Sequence, residues 1–142
     1  LRNTDDADTT PQPGLADVDE LIETVRLSGL NVAFAEHEQA KRQLADGAEL
    51  VIYRIIQEAL TNVARHAGPR ASAVVTLHWR NTGVAVTIDD DGVGTTQTDH
   101  AGQGLVGMRE RVALYDGSFT AGPRSGGGFR VHAHLPYNGV DA

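Results

Sequence analysis

Apolar residues recur along this chain at two periods, and the switches between them divide it into elements. In ADVDELIETVRLSGL, residues 16–30, Val18, Leu21, Ile22 and Val25 fall at helical spacing, with Gly29 placed to stop the helix. LNVAFAE (30–36) instead alternates apolar with polar or small residues, the period of a strand. A polar connection, HEQAKRQLADG, leads into AELVIYRIIQEALTNVARHA at 48–67, which is apolar at helical period and free of Gly and Pro. It is the strongest helix in the chain. Residues 71–80 and 83–89 flank Asn81, Thr82 and Gly83 and predict an antiparallel hairpin. TTQTDHA (95–101) is expected to be a short loop, after which GLVGMRERVALY (104–115) sets Leu105, Met108, Val112 and Tyr115 on one helical stripe. SFTAG (118–122) and GFRVHAHLP (128–136) then read as two strands across a Gly-rich turn.

Strands outnumber helices, and most neighbouring strands are hairpin-linked. The expected fold is α+β, a two-layer α/β sandwich whose mixed, mainly antiparallel sheet carries helices on one face. Residues 1–14 are polar with two prolines and read as a linker or frayed arm; residues 15–142 form one domain. The chain opens on Leu1 rather than Met, so it is expected to be a piece of a longer protein.

Charge narrows the function. Twelve Lys and Arg against nineteen Asp and Glu give a net charge of −7, which argues against generic nucleic-acid binding. A highly anionic ligand would need local cations. No cysteine is present, which removes thiolate chemistry and disulfides. No apolar run approaches the roughly 18 residues of a membrane span, and no signal-peptide pattern opens the chain.

Two stretches carry candidate chemistry. On the long helix, Arg54, Glu58, Asn62 and Arg65 are spaced four, four and three, so they line one side of an otherwise apolar cylinder built on Ile52, Ile55, Ile56, Ala59, Leu60, Val63 and Ala64. A solvated edge with an Arg54–Glu58 ion pair is one account. The other is a site: Asn is disfavoured in mid-helix, and its amide oxygen, one turn from a carboxylate, suits a hard cation. The second stretch is VTIDDDGVG, 86–94, where three adjacent carboxylates end a β-like run. Clustered carboxylates suggest calcium, but the EF-hand spacing does not hold, since a loop begun at Asp89 has Val93 at its fifth place and His100 at its twelfth.

YRIIQEALTNVARHA resembles the N box of the ATP-binding domain shared by histidine kinases, gyrase-type ATPases, Hsp90 and MutL, the Bergerat-type fold. DDGVG (90–94) resembles its D-x-G-x-G box. GQGLVGMRER (102–111) resembles its second glycine box, in the form of sensor histidine kinases that partner LuxR/NarL-type response regulators. The boxes stand in family order from about residue 15 to the Leu-Pro at 135–136. The resemblance implies that Asp90 accepts the exocyclic amino group of adenine, with Gly92 and Gly94 letting the backbone approach the base. It implies a phosphate cradle at Gly102, Gly104, Leu105 and Gly107, Mg²⁺ on Asn62 with Glu58 indirectly involved, and Arg65 on a phosphate oxygen. His66 is expected at the phosphate end or in packing; Arg109 and Arg111 are expected near the phosphates or on a partner surface. Where the family often has a threonine in its last box, this chain has Phe129, which implies a more apolar pocket floor.

By this resemblance the chain uses ATP and Mg²⁺, and hands the γ-phosphoryl group to a histidine on a dimerisation domain absent from it. A response regulator is then the second acceptor. An anti-sigma-factor-type serine kinase and a non-catalytic nucleotide-binding module are the alternatives. The expected setting is cytoplasmic, without direct membrane contact, and the piece is expected to be a monomer. His132 and His134 share a strand face and are expected to face solvent rather than bind zinc. His37, His78 and His100 read as isolated, and Trp79 as a sheet-packing residue.

Overall fold

The computed structural model describes residues 12–68, 70–92 and 99–139, with the backbone alone at 99–103. After a short 3₁₀ turn, Leu15–Asp17, come helices α1 (Val18–Leu27), α2 (Ala48–His66) and α3 (Asp99–Ala113). The strands are β1 (Asn31–His37), β2 (Ser72–Trp79), β3 (Gly83–Asp90), β4 (Ser118–Pro123) and β5 (Phe129–Pro136). They form one sheet of five in the order β1-β2-β3-β5-β4. Only β1 and β2 run parallel, with Asn31 opposite Ser72 and His37 opposite His78. The other pairs are antiparallel.

The one parallel pair decides where the chemistry falls. Parallel neighbours need a return crossover, and α2 supplies it. The C-terminal end of α2 therefore lies where β2 begins. The β2–β3 hairpin then brings the end of β3 back to that same pole, where the Asp91 N–H bonds the Ser72 carbonyl at 3.2 Å.

The apolar stripe of α2 explains why the layers adhere. Ile52, Ile55, Ile56, Ala59, Leu60 and Val63 are all buried, facing Val75, Leu77, Val84, Val86, Ile88, Val131, Ala133 and Leu135 of the sheet. Each large side chain so buried contributes about 1.5–3 kcal/mol. Ala64, expected on that surface, is exposed. On α1, Val18 and Ile22 are buried and Leu21 and Val25 partly so. Trp79 packs as expected: it is buried, stacks on Tyr137, and donates its indole N–H to Glu36.

One boundary changes. Helix α3 begins at Asp99 rather than at Gly104, so the end of TTQTDHA is helical. Nothing in Asp-His-Ala opposes a helix, and a carboxylate in the first turn suits the dipole. His132 and His134 stand on the open face of the sheet, away from the core, half-covered and bonded to Thr87 (2.9 Å) and Thr82 (3.2 Å). Burial first, then nearby Arg80, pushes both imidazole pKa values down. His37 and His78, isolated in sequence, meet edge-to-face with centroids 5.8 Å apart.

Gly83 begins β3 where a Cβ would stand 2.1 Å from the Leu135 carbonyl oxygen. Gly83→Ala is expected to destabilise the chain by about 1–3 kcal/mol, the usual range for an overpacked site. Urea unfolding checks this, and an unchanged midpoint would contradict the register between β3 and β5.

Candidate active site

Three consecutive acids end β3, and each has a different partner. Asp89 points to the open face of the sheet and takes a two-pronged bond from Arg130 across the strands, at 2.6 and 2.9 Å. Asp91 lies past the strand and caps the start of β2, accepting the Ser72 N–H at 2.7 Å and its hydroxyl at 2.9 Å. Those bonds hold its pKa below the ordinary carboxylate range.

Asp90 differs. The strand period puts it on the same face as Val84, Val86 and Ile88, beneath the helices, and it is only 8% exposed. One carboxylate oxygen accepts the Gly92 N–H at 2.8 Å. Burial pushes its pKa up; the bond from Gly92 and the cation of Arg124 pull the other way without cancelling the rise. A buried carboxylate with unused lone pairs is a strong acceptor for a ligand N–H donor.

The surrounding backbone is held closely. A Cβ on Gly92 would lie 2.3–2.7 Å from atoms of Ala67 at the end of α2, so β3 and α2 meet without intervening side chains. Gly128 has φ +88° and would place a Cβ 1.9 Å from the Asp90 carbonyl oxygen, a position only glycine fills. The same carbonyl accepts Arg124 Nη1 at 3.0 Å. Arg124 was not foreseen, because only the β4–β5 turn folding back onto β3 brings it there.

Along α2 the polar stripe forms, but its pairing is not the one expected. Arg54 donates to Gln57 at 3.0 Å, three residues on, rather than to Glu58. Glu58, half-buried, is instead turned onto α3, where a Cβ on Gly104 would come within 2.3 Å of its Oε2. Asn62 is half-buried and Arg65 exposed on the following turn. The Nε2 atom of His66 is buried and has no hydrogen-bond partner among the described residues.

Gly102, Gly104 and Gly107 lie inside α3, so their N–H groups belong to the helix rather than to a turn ahead of it. Leu105 is buried in the core. Gly94 lies outside the described residues. Arg109 leaves the site altogether: it donates to the Phe119 carbonyl at 3.2 Å and rests on that ring, tying α3 to β4. Among the described residues no group of three His, Cys, Asp or Glu side chains gathers to hold a metal ion. The oxygen donors of Glu58 and Asn62, one turn apart, suit a hard cation that takes its other ligands from phosphate and water. At this pole Asp90 and Gly92 meet the end of α2, and further back on that helix Glu58 meets the glycine-bearing part of α3.

The family model for histidine kinase-, DNA gyrase B- and HSP90-like ATPases matches residues 47–139, which span every part of that pole. The chain belongs to this family. It is 36% identical over 109 residues to the sensor histidine kinase YxjM of Bacillus subtilis, covering 77% of this chain and 26% of that protein. It is 37% identical over 95 residues to the signal transduction histidine-protein kinase/phosphatase UhpB of Salmonella typhimurium, covering 66% and 18% respectively. The chain therefore spans about a quarter or less of these relatives. Among solved structures, the catalytic domain of the histidine kinase ThkA superposes with a TM-score of 0.64 at 14% identity, covering 87% of this chain and 94% of that one. The shared fold is the two-layer α+β sandwich expected from the sequence. No helix among the described residues is long and apolar enough to cross a membrane.

Because folding raises the pKa of Asp90, the native state carries a penalty that grows as pH rises from the ordinary carboxylate range through the raised value. Asp90→Asn keeps an oxygen for the Gly92 N–H and removes the charge. Its melting temperature is expected to exceed that of the parent at pH 7, with the gain shrinking as pH falls through that range. Scanning calorimetry at several pH values checks this; a less stable variant at neutral pH would contradict it.

Proposed function

We propose that this chain is the ATP-binding catalytic domain of a two-component sensor histidine kinase, working in the cytoplasm. The observation that carries the reading is Asp90, a buried carboxylate whose neighbour Gly92 seats it against the end of the polar-striped helix. Family membership and the names of its relatives support it. Asp90 accepts the 6-amino group of adenine and rejects guanine, whose oxygen at that place would face it acceptor to acceptor. Gly92 and Gly94 allow the base to approach.

At the other end, Asn62 holds Mg²⁺, with Glu58 acting on its outer shell, and Arg65 meets a phosphate oxygen. The unpartnered Nε2 of His66 is available to the phosphates. Gly102, Gly104 and Gly107 keep that end of α3 free of side chains, with Leu105 anchoring the helix behind them. Bound Mg²⁺ supplies charge neutralisation for phosphoryl transfer, which is mainly positioning and electrostatics. The acceptor is a histidine on a dimerisation domain of the same kinase, and a LuxR/NarL-type response regulator follows. The isolated chain itself is a monomer, and its domain touches neither nucleic acid nor membrane.

Calorimetric titration tests this. Mg-ATP is expected to bind in the micromolar range or weaker, and Asp90→Asn to weaken binding by about 10- to 100-fold, the worth of one charge-assisted hydrogen bond. Asn62→Ala is expected to remove most of the dependence on magnesium. A preference for GTP, or full binding by Asp90→Asn, would overturn the reading. With γ-labelled ATP the isolated chain should stay unlabelled, and label on it would exclude an acceptor elsewhere.

A further inference from the structure

Asp90 is the middle residue of a row across the sheet. Its neighbour on β2 is Ala73 and its neighbour on β5 is Phe129, both directly in register. Cross-strand neighbours share a face, so the carboxylate is flanked by a buried methyl on one side and a phenyl ring on the other. Ile88, two residues back on β3, is buried on the same face. Phe129 is half-buried against the core. Its backbone is fixed by Gly128, seated on the Asp90 carbonyl, and by Arg124, whose side chain bonds that carbonyl, whose main-chain N–H donates to the Gly128 carbonyl at 2.9 Å, and whose own carbonyl accepts the Gly127 N–H at 3.1 Å.

An aminopurine edge presents a donor, the 6-amino group, beside an acceptor, ring N1. Reading both needs a donor next to the carboxylate. Of the main-chain N–H groups nearby among the described residues, that of Gly92 is used by Asp90 itself, and that of Phe129 is turned toward the same carboxylate. Ala73, Ile88 and Phe129 bring no side-chain donor.

We propose that Phe129 is a specificity-determining residue: it walls the base end of the site so that a 6-aminopurine nucleotide is read through its amino group alone, with ring N1 left unpaired. This rests on the adenine-reading role assigned to Asp90 above. The ligand class is adenine nucleotides, extended to analogues altered at N1 and closed to those lacking the 6-amino group. The pocket gains an apolar surface for the ring and loses one hydrogen bond of discrimination.

The test is calorimetric titration of the chain with Mg-ATP and with Mg-1-deaza-ATP, in which N1 is replaced by C–H. The parent chain is expected to bind the two within about threefold of each other. Phe129→Thr, which sets a hydroxyl beside Asp90, is expected to prefer ATP by about tenfold, the worth of one hydrogen bond; Phe129→Leu should behave as the parent does. A tenfold or greater loss on 1-deaza-ATP by the parent would overturn the proposal, as would a Phe129→Thr variant that discriminates no better than the parent. Should that variant fail to fold, the parent's own ratio decides. Failure of ATP to bind at all, or undiminished binding by Asp90→Asn, is a separate result: it removes the adenine-reading role and the inference with it.

Discussion

Among the described residues, Asp90 is the one charged side chain in the core, and a buried carboxylate is tolerated only where hydrogen bonds or a ligand meet it. The two acids beside it show what the fold does with negative charge it has no further use for. Asp89 is neutralised by Arg130, and Asp91 is absorbed into the cap of β2 through Ser72. Asp90 receives one clear main-chain bond and keeps acceptor capacity. Three like charges in sequence are thus separated by the pleat and by the end of the strand, with one left poised for a donor.

Two glycines keep the backbone close around that residue. Gly92 lies directly on Ala67, and Gly128 on the Asp90 carbonyl, which Arg124 also grips. These contacts bind the end of β3 to α2 on one side and to the β4–β5 turn on the other. The crossover between β1 and β2 explains the meeting. Since α2 returns antiparallel to both strands, its last turns, with Asn62, Arg65 and the unpartnered His66 nitrogen, end beside the strand carrying Asp90. Glu58 extends the link to α3 through Gly104. A site with an acceptor at one end and oxygen donors and cations at the other follows from topology as much as from composition.

The residues that leave the site are as informative as those that stay. Arg109 carries charge that the sequence assigned to phosphates or partners, yet its contacts with the Phe119 carbonyl and ring commit it to β4. Arg54 has Gln57 within reach on its own helix and does not need Glu58, which is therefore free to face α3. Long side chains choose among several neighbours, so spacing along a helix shows which partners are possible and tertiary packing selects one.

Hydrophobic period, with the turn residues between its segments, determined that this chain has these helices and strands, most of the face that α2 buries, and that the sheet is mainly antiparallel. Those are local properties: burial repeats at 3.6 or 2 residues whatever lies opposite. The order of the glycine and carboxylate boxes likewise marked Asp90, Asn62 and the glycines in one dimension. What only the tertiary structure decided were the contacts between distant segments. Arg124 reached Asp90 from 34 residues away, His37 met His78 through strand register, and Phe129 came to stand opposite Asp90. Register and chain reversal set these, and neither leaves a periodic trace. They depend on which strands pair and with what offset, a choice made by the whole core at once.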